Sequence, residues 1–168
     1  QMAHLFTIHK SSAEYIKIQK KTQELDIMVE LSTVFDPKLH PDTTSGFLDH
    51  AVETLAWGSC MSIGVNIETG KWRSTHTIAE DLGITIGAGL KKLFYQRLET
   101  EGVNIIGWGM GCLDETLVRA TVGVEGRRNT YISIAPACPG AKLEMVEDLR
   151  SADLAAFVEG FFQGFPAT

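Results

Sequence analysis

Two spacings of apolar residues follow one another near the start of the chain, and they constrain its fold more than any other feature. Between residues 15 and 35 apolar side chains occupy alternate positions, which predicts two half-buried strands joined by a bend. Across residues 47–56 they recur every three to four positions, which predicts an amphipathic helix with Thr44 or Ser45 as its N-cap. The proline-containing segment between them, residues 36–43, is predicted to be a loop.

The middle of the chain is also predicted to combine strand and helix. Residues 60–67 are predicted to form a strand and residues 75–98 a long helix. That helix contains Gly83, Gly87 and Gly89, and each glycine costs about 1 kcal/mol relative to alanine in a helix interior. We therefore expect this helix to cross a sheet or another helix at short distance.

The C-terminal third predicts more strands and a final helix. Strands are expected within residues 103–114, 116–126 and 129–136, and a helix from Ser151 or Asp153. The apolar face expected for this helix comprises Leu154, Phe157, Val158, Phe161 and Phe162.

The order of elements predicts an α+β fold, with helices on a mostly antiparallel sheet. Weak internal similarity suggests an N-terminal arm (residues 1–14), a first repeat half (15–98) and an incomplete second half (99–168).

Composition excludes several classes of function. The net charge of −6 argues against a nucleic-acid partner, and the basic run at residues 17–21 is predicted to be a solvated face. No run approaches the roughly 18 apolar residues that span a membrane. Three distant cysteines without a CxxC pair exclude a zinc ribbon and predict buried thiols in a reducing compartment, so we expect a cytoplasmic protein.

One spacing indicates a metal site. His76 and Glu80 are four residues apart, so on a helix they share one face, and an imidazole with a carboxylate suits Mn, Fe or Zn. The alternative is that both are polar residues on the solvent side of the helix. His50 is either a third ligand or a surface histidine.

Other polar residues allow two interpretations each. Asp114 and Glu115 are either turn residues or carboxylates at the edge of a cleft. Arg127 is either solvated or a clamp for an anion such as phosphate. Glu24 is placed on a strand, with its side chain on a polar face that lines a site or faces water.

Several motifs in order resemble the imidazoleglycerol-phosphate dehydratase family, from about Ile16 to the C-terminus. They are KTQELDI, GFLDHAVETL, HTIAEDLGITIGAGL, GMGCLDETL, VEGR and FVEGFFQGF. The resemblance implies tandem halves of sheet plus helices, like the second domain of ribosomal protein S5. It also implies self-association into trimers that build a larger cage.

The resemblance further implies a metal-dependent dehydratase of histidine biosynthesis, acting on a phosphorylated imidazole at a two-ion Mn site between subunits. The matching positions are Glu24 for proton transfer, His50, His76 and Glu80 for metal ligands, and Arg127 for the phosphate.

The chain departs from the family pattern at several of these motifs. Thr77 replaces a second histidine, Ser74 and Thr75 replace aspartates, and Ile105 replaces a phosphate-binding arginine. The family's second histidine-rich helix is expected beyond Thr168. Two hypotheses therefore stay open beside the active enzyme: a catalytically impaired paralogue that keeps the fold and oligomer as a binding or structural subunit, and a related lyase with a different small-molecule substrate.

Overall fold

The structure, a computed structural model, describes residues 5–71, 74–113, 116–124, 129–133, 145–146 and 149–165. Its elements confirm the predicted α+β class. In chain order they are β1 (Phe6–Ser11), β2 (Tyr15–Lys21), β3 (Leu25–Ser32), β4 (Pro41–Asp42), α1 (Gly46–Ser59), β5 (Ser62–Thr69), α2 (Thr75–Thr100), β6 (Ile106–Leu113), β7 (Thr116–Gly123), β8 (Met145–Val146), β9 (Leu149–Arg150) and α3 (Ser151–Gly164).

The main sheet has five strands in the order β1-β2-β3-β5-β4. The pairs β1–β2, β2–β3 and β3–β5 are antiparallel, and the pair β4–β5 is parallel. Ile18 lies opposite Val29 on the buried face, and Lys17 lies opposite Glu30 on the outer face. The alternation in the sequence therefore identified both β2 and β3, with residues 22–24 as the bend.

The first strand was not predicted. Residues 1–14 were assigned to an arm, yet Phe6–Ser11 pairs with β2 at the edge of the sheet, with a register shift between Ile8 and Lys10. Most of its side chains are exposed on both faces, so burial imposes no alternation on its sequence.

One apolar core fills the space between the inner face of the sheet and the helices. Alternate residues of the strands supply one side of it, and single faces of the helices supply the other. Its largest fully buried apolar side chains are Ile16, Ile27, Val29, Leu31, Leu48, Val52, Ile78, Leu82 and Ile86.

Local signals set the ends of α1. Ser45 is the N-cap, as predicted, and its hydroxyl oxygen accepts a hydrogen bond from the backbone N–H of Leu48 at 3.4 Å. The helix ends at Cys60, whose φ of 55° lies in the left-handed region.

The glycines of α2 allow the short-distance packing that the sequence predicted. A Cβ at Gly83 or Gly87 would collide with the backbone carbonyl oxygen of Phe157 or Phe161 in α3. Gly89 instead faces the sheet, where an added Cβ would lie 2.8 Å from Leu31 Cδ1. The missing side chains thus let α2 contact both neighbours, and packing compensates for the low helix propensity of glycine.

Glycines of α3 complete the same contact from the other side. A Cβ at Gly160 would collide with the carbonyl oxygen of Glu80, and one at Gly164 with that of Ile84. The paired positions advance together along both helices, so α2 and α3 run side by side in the same direction.

The apolar face predicted for α3 packs on the core at four of its five positions: Phe157 is buried, and Leu154, Val158 and Phe161 are partly buried. The buried residues of the helix are Asp153, Ala156, Phe157, Gly160 and Gly164. Gly160 and Gly164 lie against the carbonyl oxygens of Glu80 and Ile84, so small residues form part of the packed face beside the apolar ones.

A buried ion pair connects α2 to the sheet. Lys20 Nζ donates to Asp81 Oδ1, and both residues are buried. The expectation that residues 17–21 form a solvated face is therefore wrong for Lys20, which points inward on β2. Lys17 and Lys21 lie on the outer face, as expected, and pair with carboxylates of β3.

Strands β6 and β7 form a separate two-stranded ribbon with exposed apolar side chains, among them Trp108 (80% exposed) and Met110 (64%). The third predicted strand of this region is not formed in residues 129–133, and its remainder lies outside the described residues.

The cysteines were expected to be buried. Cys60 and Cys112 are free thiols but exposed, so the expectation of burial is wrong for both, and Cys138 lies outside the described residues.

We predict that Gly87→Ala lowers the free energy of unfolding by about 1–3 kcal/mol, because the added methyl group collides with the backbone of α3. Gly58→Ala is the matched control, since no atom lies within 4 Å of its added Cβ in α1, and it should stabilise the protein by up to about 1 kcal/mol. Urea unfolding measures both changes. Equal effects of the two substitutions would contradict the proposed helix contact.

We predict that Asp81→Ala lowers the free energy of unfolding by about 3–5 kcal/mol, because it leaves the Lys20 ammonium buried without its partner. Lys21→Ala breaks an exposed pair and should cost far less. The double variant Lys20→Met with Asp81→Leu should recover most of the loss in urea unfolding. A cost for Asp81→Ala no larger than that for Lys21→Ala would refute this account.

Candidate active site

The predicted pair of metal ligands lies at the N-terminus of α2. Ser74 is the N-cap, and its hydroxyl oxygen accepts from the backbone N–H of Thr77 at 3.4 Å. His76 follows in the first turn with a side chain that is 48% exposed, and Glu80 follows one turn later, partly buried. Helical geometry places these two side chains on the same face, as the spacing predicted.

His76 contacts a residue that sequence reasoning did not select. Its Nδ1 lies 3.2 Å from Oδ1 of Asp153, the third residue of α3. Asp153 was considered only as a possible start of the helix. It is separated from His76 by 77 positions, and no local motif connects the two.

Arg150 holds the Asp153 carboxylate in place. Its Nε donates to Oδ2 at 3.0 Å and its Nη2 donates to Oδ1 at 2.9 Å, while the Arg150 backbone N–H donates to Oδ2 at 3.2 Å. The hydrogen bond from the Arg150 side chain lowers the pKa of Asp153 below its ordinary value, although burial acts in the opposite direction. The side chain of Asp153 is 1% exposed, so this is a buried anion fixed by a guanidinium.

His50 lies on the exposed side of α1 and is not brought to the His76–Glu80 pair. Its neighbour Asp49 has a structural role, because Oδ1 accepts from the backbone N–H and the hydroxyl of Thr43, both at 2.7 Å. Among the described residues of a single chain, no three His, Cys, Asp or Glu side chains are grouped closely enough to hold a metal ion. The proposed ligands therefore do not meet within one copy of the chain.

Glu24 lies in the bend before β3, so its placement on a strand was wrong. The bend is fixed by two hydrogen bonds: Glu24 N–H donates to the hydroxyl of Thr22 at 3.2 Å, and its carbonyl oxygen accepts from Gly70 N–H at 2.7 Å. The side chain is exposed. β3 begins at Leu25, which is the first residue after the bend that the core buries.

Three of the remaining residues that the sequence singled out lie outside the described residues: Arg127, Asp114 and Glu115. Ile105, which stands where the family has an arginine, is 50% exposed just before β6.

A cavity of about 550 Å³ opens elsewhere, between residues 35–41 and the C-terminal end of α1. Phe35, Trp57 and Cys60 contribute to its lining, and none of the candidate site residues does.

Among the described residues, no helix combines the length and apolar character needed to cross a membrane.

Sequence comparison decides the family. The sequence model described as "Imidazoleglycerol-phosphate dehydratase" matches residues 43–168. The chain belongs to the imidazoleglycerol-phosphate dehydratase family. It is 30% identical over 147 residues to the enzyme of that name from Streptococcus sanguinis (strain SK36), covering 88% of this chain and 70% of the relative. It is 32% identical over 155 residues to the one from Zygosaccharomyces bailii, covering 92% and 65%.

Solved structures of this family have the same fold. Imidazoleglycerol-phosphate dehydratase from Staphylococcus aureus superimposes with a TM-score of 0.64 at 22% identity, covering 88% of this chain and 77% of that one. The Pyrococcus furiosus protein, determined in complex with (S)-C348, gives a TM-score of 0.67 at 24% identity, covering 88% and 73%. At these identities the likeness establishes the fold.

Proposed function

We propose that this protein catalyses the dehydration of imidazole glycerol phosphate to imidazole acetol phosphate, as a metal-dependent lyase of histidine biosynthesis. The observation that carries the proposal is the match of residues 43–168 to the dehydratase family. The placement of His76 and Glu80 on one face at the start of α2 supports it, because the family resemblance assigns metal ligands to these two positions.

The metal part of the proposal needs ligands from more than one copy of the chain. His76 and Glu80 supply one imidazole and one carboxylate, a donor set that suits manganese. The third ligand, His50, is exposed on α1, and the described part of one chain groups no three such donors. We therefore propose that sites form between copies, with His50 of one copy facing the pair of another. A divalent ion bound there would hold the substrate imidazole and stabilise negative charge as the carbon-bound proton leaves.

The chain's own residues supply the other chemical roles. Glu24 is exposed in a hydrogen-bonded bend, where a carboxylate is free to accept a proton from substrate or donate one to the leaving hydroxyl. Arg127 is proposed to bind the substrate phosphate, since a guanidinium matches the geometry of phosphate oxygens. Asp114 and Glu115 are proposed as carboxylates at the edge of the substrate-binding cleft.

Self-association into trimers, and from these into a larger cage, is part of the proposal. The exposed apolar side chains of β6 and β7 support it, because an isolated two-stranded ribbon is only marginally stable in water. The exposed free thiols Cys60 and Cys112 fit a reducing compartment, and we propose that the protein acts in the cytoplasm.

The second candidate function is a catalytically impaired paralogue that serves as a binding or structural subunit. Thr77 and Ile105 favour it, because a threonine is a poor ligand for a transition metal and an exposed isoleucine cannot bind phosphate. The assay below distinguishes the two candidates.

We predict that purified protein with added Mn²⁺ forms imidazole acetol phosphate from imidazole glycerol phosphate, and that Glu80→Gln abolishes this activity. The melting temperature without metal should barely change, because the Glu80 side chain makes no hydrogen bond or ion pair within the described residues. Glu53→Gln, a partly buried position on α1, is the matched control and should remain active. A folded wild type without product excludes the dehydratase, and a fully active Glu80→Gln excludes Glu80 as a ligand.

We predict that Thr77→His tightens Mn²⁺ binding, because it adds an imidazole beside His76 in the first turn of α2. Titration calorimetry of wild type and variant measures the dissociation constants. Unchanged affinity in a folded variant would count against a metal site at this end of the helix.

A further inference from the structure

We propose that Asp153 is a positioning residue that orients the imidazole of His76, so that Nε2 of the ring is held available as a ligand atom. The inference rests on the proposed function, because the ion in question is the one assigned there to His76 and Glu80. It adds a residue on another helix, and that residue contacts the imidazole ring rather than the ion.

All the hydrogen-bonding capacity of the Asp153 carboxylate is used in one arrangement. Oδ1 contacts His76 Nδ1 at 3.2 Å and Arg150 Nη2 at 2.9 Å, while Oδ2 accepts from Arg150 Nε at 3.0 Å and from its backbone N–H at 3.2 Å. A carboxylate offers about four acceptor positions, and four contacts are present. The carboxylate therefore has a fixed orientation that points Oδ1 at the ring.

The contact determines where the neutral ring carries its proton. A carboxylate paired with a guanidinium is ionised and only accepts hydrogen bonds, so Nδ1 of His76 must donate. The lone pair then resides on Nε2. Histidines that bind metals commonly donate their other ring N–H to a carboxylate in this way, which fixes both tautomer and ring orientation.

Backbone contacts, rather than flexible side chains, place Asp153 beside His76. Gly160 packs against the carbonyl of Glu80 one turn beyond His76, so the two helices are in direct backbone contact next to the site. Two other described histidines meet neutral partners: His9 contacts the amide oxygen of Gln19, and His40 the carbonyl oxygen of Lys38. His76 differs from both in facing a buried carboxylate.

The simpler alternative is that Asp153 only caps α3. That role needs Oδ2 and the Arg150 backbone N–H, which form the capping arrangement at the start of the helix. The Oδ1 contact to His76 is additional to it. A test must therefore measure which nitrogen of the His76 ring carries the proton, and not only the stability of the helix.

The experiment is nitrogen-15 NMR of metal-free protein labelled at histidine, at a pH where imidazoles are neutral, with His76→Gln to assign the signal. Wild type should carry the proton on Nδ1 of His76. Asp153→Ala should move it predominantly to Nε2, and Mn²⁺ affinity measured by calorimetry should fall about 10–100-fold. Glu159→Ala, at an exposed position of α3, is the matched control and should keep the proton on Nδ1.

Asp153→Asn retains a carbonyl acceptor and should keep the Nδ1 tautomer with a smaller loss of affinity, and the wild-type tautomer alone still tests the proposal if Asp153→Ala fails to fold. A wild-type ring protonated on Nε2, or a tautomer unchanged in folded Asp153→Ala, would overturn it. If wild type binds no Mn²⁺ yet shows the predicted change of tautomer, the proposed metal-dependent function fails and the positioning role stands. If Mn²⁺ binds and the tautomer does not depend on Asp153, the positioning role alone fails.

Discussion

The direct backbone contact between α2 and α3 is the constraint on which the rest of this structure depends. Glycines on both helices remove the side chains that would otherwise hold the helices apart, and carbonyl oxygens of one helix occupy the resulting space on the other. Neither helix can rotate or shift without an atomic collision, because protein interiors are closely packed. The relative rotation of the two helices is thus set by shape, and polar contacts at their ends depend on it.

Two buried carboxylates lie where this packing brings α2 against its neighbours. Lys20 and Asp81 join α2 to the sheet, while Asp153, Arg150 and His76 join the first turns of the two helices. A buried charge is tolerated only when it is paired and hydrogen-bonded, and each of these carboxylates meets that requirement. The hydrogen bonds of the Asp153 carboxylate also restrict the orientation of the His76 ring. The same interactions therefore stabilise the fold and orient a candidate metal ligand.

The candidate site residues are distributed over separate elements and remain accessible. Glu24 lies in a bend, His50 on the exposed side of α1, and His76 at the start of α2. A chain that uses these residues together has to bring them from different copies, and the apolar ribbon of β6 and β7 is a surface that association would cover. Under the proposed function, catalysis therefore depends on assembly.

The sequence by itself determined local features: strands β2 and β3 from alternation, the cap at Ser45, and a glycine-bearing helix that must pack closely. It also supplied the family, because ordered motifs survive at about 30% identity. Only the tertiary structure decided that β1 is a strand, that Lys20 is buried, that Glu24 precedes β3, and that Asp153 contacts His76. The physical reason is that periodicity reports which face of an element is buried, whereas a contact between residues 77 positions apart depends on how two packed elements are rotated against each other.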